Sequence, residues 1–221
     1  MKAAVIVFPG SNCDRDAAIA IEKVCGTKPQ MIWHGETSLP QLDLIVIPGG
    51  FSYGDYLRCG AMAGNSPVMR DVIDRAKEGT RVLGICNGLQ VLNETAILPG
   101  ALMRNTDLKF VCRDVRMRVE QTDSPFTNKF APNEEVSIPV AHHDGNYFAD
   151  KDTLNALEDN GQIAFRYAED DNPNGAQRNI AGIFNRRKTV LGMMPHPERV
   201  IGEELGGTDG AKVFESLVAT L

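Results

Sequence analysis

The chain has 221 residues, 43% hydrophobic and 24% charged, with a formal net charge of −6 at pH 7. That length supports a full core, the composition is that of an ordinary globular protein, and the acidic balance argues against nucleic acid or a membrane surface as a partner. Five cysteines (Cys13, Cys25, Cys59, Cys86 and Cys112) form no C-x-x-C pair, which argues against a disulfide framework or a zinc ribbon and favours a reducing, cytoplasmic setting.

Ala3–Phe8 is a continuous apolar run of the kind found in strands buried on both faces, and it is too short to span a membrane. Pro9-Gly10-Ser11-Asn12 turns the chain; before a helix such a turn can hold an anion, although a capped turn is the plainer reading. Ala17, Ala18, Ile21, Val24 and Cys25 then recur at helical spacing, and Gly26 supplies a stop. Met31-Ile32-Trp33 and Leu44–Ile47 are further strands, the second ended by Pro48-Gly49-Gly50. Ser66-Pro67 reads as an N-cap followed by proline at the first helical position, opening a helix that runs to Gly79. Val82–Ile85 is a third buried strand, and the helix after it is expected to end near Leu98-Pro99-Gly100.

This alternation predicts a parallel sheet covered on both faces. The second half reads differently. Phe110–Val119, Val136–Val140, Ile163–Tyr167, Ile180–Phe184 and Val190–Met194 are short strands with turn-rich connections and no convincing helix between most of them. They predict antiparallel strands added to the parallel sheet. Arg186-Arg187-Lys188 reads as a solvated hairpin turn. A helix from Thr208 onward closes the chain, with Val213, Phe214, Leu217, Val218 and Leu221 on one face. No linker separates two units, so a single α/β, doubly wound domain over residues 2–221 is expected.

Chemistry enters at Gly84-Ile85-Cys86-Asn87-Gly88-Leu89-Gln90. Small residues two before and two after Cys86 allow a sharp strand-to-helix turn that lifts its side chain above the sheet. A helix N-terminus behind the sulfur favours the reactive thiolate. A nucleophile needs a base and the base an orienting group. Of the four histidines, His196 lies in Met194-Pro195-His196-Pro197-Glu198-Arg199, directly after an apolar strand. Proline on both sides predicts an extended segment, in which Glu198 faces the same way as His196 at roughly 7 Å. An oxyanion needs donors. The Asn87 amide and the Gly49-Gly50 pair, at the carboxyl end of the neighbouring strand, are the backbone sources.

Pro48-Gly49-Gly50, Gly84-Ile85-Cys86-Asn87-Gly88-Leu89-Gln90 and Pro195-His196-Pro197-Glu198 occur in the order and approximate separation of the class I (triad) glutamine amidotransferases, which the chain resembles. The opening Val7–Asn12 segment, the Gly49–Gly60 run and Ile138–Tyr147 are similar to one branch, the glutaminase subunits that serve purine biosynthesis. His143-Asp144 stands where many members of that branch have Gly-Glu, which leaves the role of those two side chains open.

The resemblance implies a catalytic triad of Cys86, His196 and Glu198, with Gly50 and Asn87 amides forming the oxyanion hole. It also implies that Gly49 and Gln90 contact glutamine, as would His142 and His143 if they are not simply polar loop residues. No metal or cofactor is implied for this chain. The run Gly206–Lys212 lacks a phosphate-loop core, so ATP and Mg are expected on a large synthetase subunit, joined by a small bridging subunit. That large subunit would use the ammonia to amidate formylglycinamide ribonucleotide. Tyr53, Tyr56, Leu57 and Arg58 are candidates for the docking surface.

Two rival readings are a cysteine hydrolase of the intracellular-protease-like branch and a catalytically dead interaction module. The first commonly has histidine directly after the nucleophile, where Asn87 stands here. The second usually lacks the cysteine or the histidine.

Overall fold

A computed structural model describes residues 1–55 and 58–220, and among them lie eleven strands and six α-helices. The first half contains β1 (Ala3–Val7), α1 (Asp14–Cys25), β2 (Gln30–Trp33), β3 (Leu44–Ile47), α2 (Cys59–Gly64), α3 (Pro67–Glu78), β4 (Arg81–Ile85) and α4 (Asn87–Glu94). The second half contains β5 (Ala101–Met103), β6 (Val111–Val119), β7 (Glu135–His142), β8 (Asn146–Phe148), α5 (Lys151–Asp159), β9 (Ile163–Tyr167), β10 (Ile180–Phe184), β11 (Val190–Met193) and α6 (Ala211–Val218).

Nine strands form one sheet in the order β2-β1-β3-β4-β11-β10-β9-β6-β7. The first five are mutually parallel. β10, β9, β6 and β7 continue the sheet in antiparallel pairings. Strands β3, β10 and β11 bury every residue, as expected where helices cover both faces. β7 alternates instead, burying Val136, Ile138, Val140 and His142 while Glu135 and Ser137 face outward.

Strand order decides where a site can form. From β1 the chain steps to β2 on one side, then crosses back to β3 on the other. Helix α1 joins β1 to β2, whereas α2 and α3 join β3 to β4 in the opposite direction across the sheet, so the right-handed crossover rule puts these connections on opposite faces and opens a crevice at the carboxyl ends of β1 and β3. The same edge receives the carboxyl ends of β4 and β11, because all four strands run the same way.

Several elements differ from the sequence reading. Val190–Met194 is expected among the antiparallel additions, yet β11 pairs in parallel with β4, from Val190 opposite Val82 to Met193 opposite Ile85. Its fully apolar composition suits a central position rather than a flank. The elbow helix α4 stops at Glu94 rather than near Leu98. Thr95 Oγ1 bonds back to Val91 O, Ala96 turns left-handed at φ 55°, and the amides of Ile97 and Leu98 both reach Leu92 O. Helix α5 is not anticipated by the sequence reading; Asp150 caps it, accepting from Thr153 N at 2.9 Å, but only Leu154 and Leu157 are buried along it.

Candidate active site

At the end of β4 the chain enters α4 through Cys86, whose φ of 52° and ψ of −106° are costly for a residue with a side chain, on the order of 1–3 kcal/mol. The turn survives because its neighbours are small. A Cβ on Gly84 would strike Leu92 and the Gly88 carbonyl, and one on Gly88 would strike the Ile47 carbonyl oxygen. Cys86 N donates to Met193 O at 2.7 Å, which ties the elbow to β11. The Cys86 thiol, 5% exposed, points toward Ala141 O at 3.7 Å at the end of β7.

Beyond β11, His196 is buried and its backbone N donates to Pro139 O at 2.8 Å. Its Nδ1 meets Glu198 Oε1 at 2.7 Å. The segment is not extended as the two prolines suggest: Pro197–Arg199 forms one 3₁₀ turn. Proline suits the first position of such a turn, where its fixed φ fits and no N–H is needed. The turn, rather than i,i+2 alternation, brings the carboxylate back to the ring. His196 and Cys86 both crowd Gly49. A Cβ there would lie 2.7 Å from His196 Cε1 and 3.3 Å from Cys86 Cβ. Sulfur, imidazole and carboxylate therefore share one buried corner, with His196 Nε2 and Glu198 Oε2 left without hydrogen-bond partners among the described residues.

Burial pulls the His196 imidazolium down. The Glu198 carboxylate, then the Cys86 and Cys13 sulfurs, pull it up, and the net position is well above the ordinary histidine value. His142 goes the other way. Burial, followed by the nearby His196 charge, pushes it down to about 4.

The remaining predicted residues gather around Cys86. Gly50, at φ 119°, and Asn87 line a small cavity over Cys86 together with Phe51, Gln90, Phe110, Ala141, His142, His143 and Asp144. Gln90 is held by its surroundings: Asn87 Nδ2 and Cys59 Sγ both donate to its Oε1, and its Nε2 donates to Asp144 O at 3.0 Å. The His142 ring sits among buried amides, with Nδ1 at 3.2 Å from Asn105 Oδ1 and Nε2 at 3.3 Å from Asn174 Nδ2. His143 is partly exposed and pairs with Asp144 at 3.1 Å. A groove of about 940 Å³ opens beside the cavity and shares Gln90, His143 and Asp144 with it.

Other contacts around the site have no mark in the sequence. The Asn87 side chain also accepts from Ser52 N at 3.3 Å and donates to Cys59 Sγ at 2.8 Å, joining the Phe51–Gly54 stretch to α2 and α4. Tyr53, left-handed at φ 54°, places its hydroxyl 3.1 Å from His34 Nδ1 and 3.0 Å from Ser66 Oγ. Ser66 occupies the N-cap position of α3 but makes no capping bond. Tyr53 is thus tied inward, whereas Arg58 is exposed and paired with Glu94; Tyr56 and Leu57 lie outside the described residues. Phe51 and Phe110, each about half exposed, stack at 6.3 Å beside the cavity.

Among the described residues one group has the ligand types of a metal site: Cys13, His196 and Glu198, with ligand atoms within 4.8 Å of one another. It fits a cation poorly, because Glu198 is committed to His196 and the Arg199 guanidinium lies 3.0 Å from Cys13 Sγ. No helix among the described residues is long and apolar enough to cross a membrane.

A strained cysteine elbow thus ends one parallel strand, and the neighbouring strand delivers a buried His–Glu pair to the same corner. The family described as CobB/CobQ-like glutamine amidotransferase domain matches residues 1–205, and the chain belongs to that family. It is 59% identical to the phosphoribosylformylglycinamidine synthase subunit PurQ of Zymomonas mobilis over 222 aligned residues, covering 100% of both chains. It is also 59% identical to the PurQ subunit of Novosphingobium aromaticivorans, covering 99% of this chain and 96% of that one. The solved structure of PurLQS from Thermotoga maritima superposes with a TM-score of 0.91 at 42% identity, covering 99% of this chain and 98% of its counterpart.

Proposed function

We propose that this chain is the glutaminase subunit of a phosphoribosylformylglycinamidine synthase, hydrolysing glutamine to glutamate and ammonia and handing the ammonia to a large synthetase subunit. The observation that carries the chemistry is the buried corner in which Cys86 and His196 crowd Gly49 and Glu198 Oε1 meets His196 Nδ1. Full-length similarity to PurQ subunits supports the choice of substrate and pathway.

The residues divide the work as follows. Cys86 Sγ attacks the side-chain amide carbon of glutamine while its proton passes to His196 Nε2, the ring nitrogen that Glu198 leaves free. Glu198 fixes the tautomer and stabilises the imidazolium. The Gly50 and Asn87 amides face the developing oxyanion. Collapse of the tetrahedral adduct returns the proton to the leaving nitrogen, which departs as ammonia. Water, activated by the same imidazole, then cleaves the glutamyl thioester to release glutamate. Gly49 lets the reacting groups approach, and Gln90 and His143 border the substrate. We assign His142, whose ring nitrogens are both engaged, to holding the wall of the site.

ATP and Mg belong to the large subunit in this reading, a small subunit bridges the two, and the complex works in the cytoplasm. The test is Cys86→Ala in the assembled complex. Glutamine-dependent amidation should fall by a factor of about 10³ or more while ammonia-dependent amidation persists. Retained glutamine-dependent turnover would remove Cys86 from the nucleophile role.

A further inference from the structure

We propose that Cys13 and Arg199 are a positioning pair behind the dyad: the Cys13 thiol anchors the Arg199 guanidinium, and that fixed cation sets the pH range over which Cys86 and His196 react. This rests on the triad reading above and deepens it.

Arg199 follows Glu198 in the same 3₁₀ turn. Its Nη2 donates to Cys13 Sγ at 3.0 Å, and its Nε lies 3.5 Å from Asp16 Oδ2. Cys13 is 2% exposed at the start of α1, so the crossover helix itself carries the anchor. The sulfur, a His196 ring nitrogen and a Glu198 oxygen lie within 4.8 Å of one another. Arg199 is thus bound to a residue that touches the dyad's surroundings, and its backbone N also donates to His196 O at 3.2 Å.

The pair has an electrostatic task. A buried carboxylate beside a buried imidazole favours the imidazolium strongly, and a second cation nearby opposes that preference. The other groups around the dyad are Cys86 from the elbow, His142 from β7 and Asp16 from α1. Helix α6 buries Ala211, Val213, Phe214, Ser216 and Leu217, none of them titratable. Burial works against the Arg199 charge, but Cys13, Glu198 and Asp16 outweigh it and keep the guanidinium protonated. Removing the charge stabilises the proton on the Cys86–His196 pair. The acidic limb of activity then moves to higher pH, whether the reactive form is thiol–imidazole or thiolate–imidazolium, because the pair titrates as a unit.

The assembled complex serves as the test system, with Arg199→Gln, Arg199→Lys, Cys13→Ala and Cys13→Ser. The readouts are the pH profile of kcat/KM for glutamine and the pH profile of Cys86 inactivation by a glutamine-mimicking electrophile. Arg199→Gln should raise the acidic limb by about one pH unit in both profiles, with ammonia-dependent amidation unchanged. Arg199→Lys should recover part of the shift, Cys13→Ala should reproduce part of it, and Cys13→Ser should stay near the parent.

A lowered plateau with an unmoved limb in Arg199→Gln overturns the proposal. A limb unmoved in Cys13→Ala overturns the anchoring role of the thiol. Should Arg199→Gln fail to fold, Arg199→Lys and Cys13→Ala decide the matter by the same limb. Cys86→Ala is run alongside. If it retains glutamine turnover, the triad reading itself fails; if it is inactive while the Arg199 limbs stay put, only the positioning pair fails.

Discussion

The parallel and antiparallel halves of the sheet handle polar groups in opposite ways. In the parallel half, from β2 to β11, central strands such as β3 are buried throughout, so little inside the sheet can carry chemistry. The groups of the proposed triad therefore leave the sheet at its carboxyl edge: Cys86 on a strained turn, His196 and Glu198 on a 3₁₀ turn. In the antiparallel half β7 keeps one polar face, and its buried histidine, His142, is matched by Asn105 and Asn174. One half presents polar groups at its edge and the other encloses its own among hydrogen-bond partners. The first should break through steric closeness and the second through unpaired polar atoms.

The largest effect belongs to the parallel half. Gly88→Ala would drive a Cβ into the Ile47 carbonyl oxygen, a backbone atom with nowhere to go. A loss of about 3 kcal/mol or more is expected, read as a fall in the urea midpoint, with glutaminase activity lost alongside.

The antiparallel half should break with a pH signature. His142 is held near 4 when folded against about 6.5 when unfolded. A depressed histidine binds fewer protons folded than unfolded across that window, so stability falls as pH drops from about 6.5 to 4. The full penalty is on the order of 3 kcal/mol. His142→Gln should cost stability at pH 7 by disturbing the Asn105 and Asn174 bonds, yet flatten the slope of unfolding free energy between pH 6.5 and 4. An unchanged slope would mean the ring is not buried neutral. His196 contributes with the opposite sign, because its raised value stabilises below the unfolded pKa and the gain is lost as pH rises through the folded one.

Where the halves meet, Asn87 holds them together. It accepts from Ser52 N and donates to Cys59 Sγ and Gln90 Oε1, while Gln90 continues to Asp144 O beyond β7. Asn87→Ala would leave Ser52 N–H and Gln90 Oε1 each short of a partner, at about 1–3 kcal/mol for the buried network. A fall of about tenfold in glutamine-dependent kcat is expected, with ammonia-dependent amidation intact, because the segment carrying Gly50 loses its tether. An unaltered kcat would show that the tether does not govern the oxyanion side.

The same division explains what could be read from the chain. Continuous apolar runs made β1, β3 and β4 legible, and the spacing of small residues around Cys86 gave the elbow, because each follows from local sterics. The partnership of His196 and Glu198 was visible as a pair, but its 3₁₀ geometry was not, since proline suits extended and first-turn positions equally. β11 was misplaced because an apolar strand of four residues carries no mark of parallel or antiparallel pairing. Cys13 and Arg199 were unreadable as neighbours, being 186 positions apart and joined only by the packing of α1 against the last turn. Asn105 and Asn174 carry no mark of a partner in the sequence, and only the folded chain aims them at a histidine.

Helix α5 supplies the smallest effect and the control for all the others. It was missed because its apolar stripe is two leucines wide, too thin to register as periodicity. Its start, however, is written in Asp150 and Thr153, whose mutual bonds satisfy an otherwise open N–H. Asp150→Ala should cost about 1 kcal/mol, a shift of roughly 2–4 °C in Tm for a chain of this size. Both glutamine- and ammonia-dependent rates should stay at parent values, since α5 contributes no residue to the cavity over Cys86. A rate change larger than twofold would mean that the antiparallel half transmits its stability to the reactive edge, and the separation of roles argued from His142 and Asn87 would then have to be redrawn as one cooperative unit.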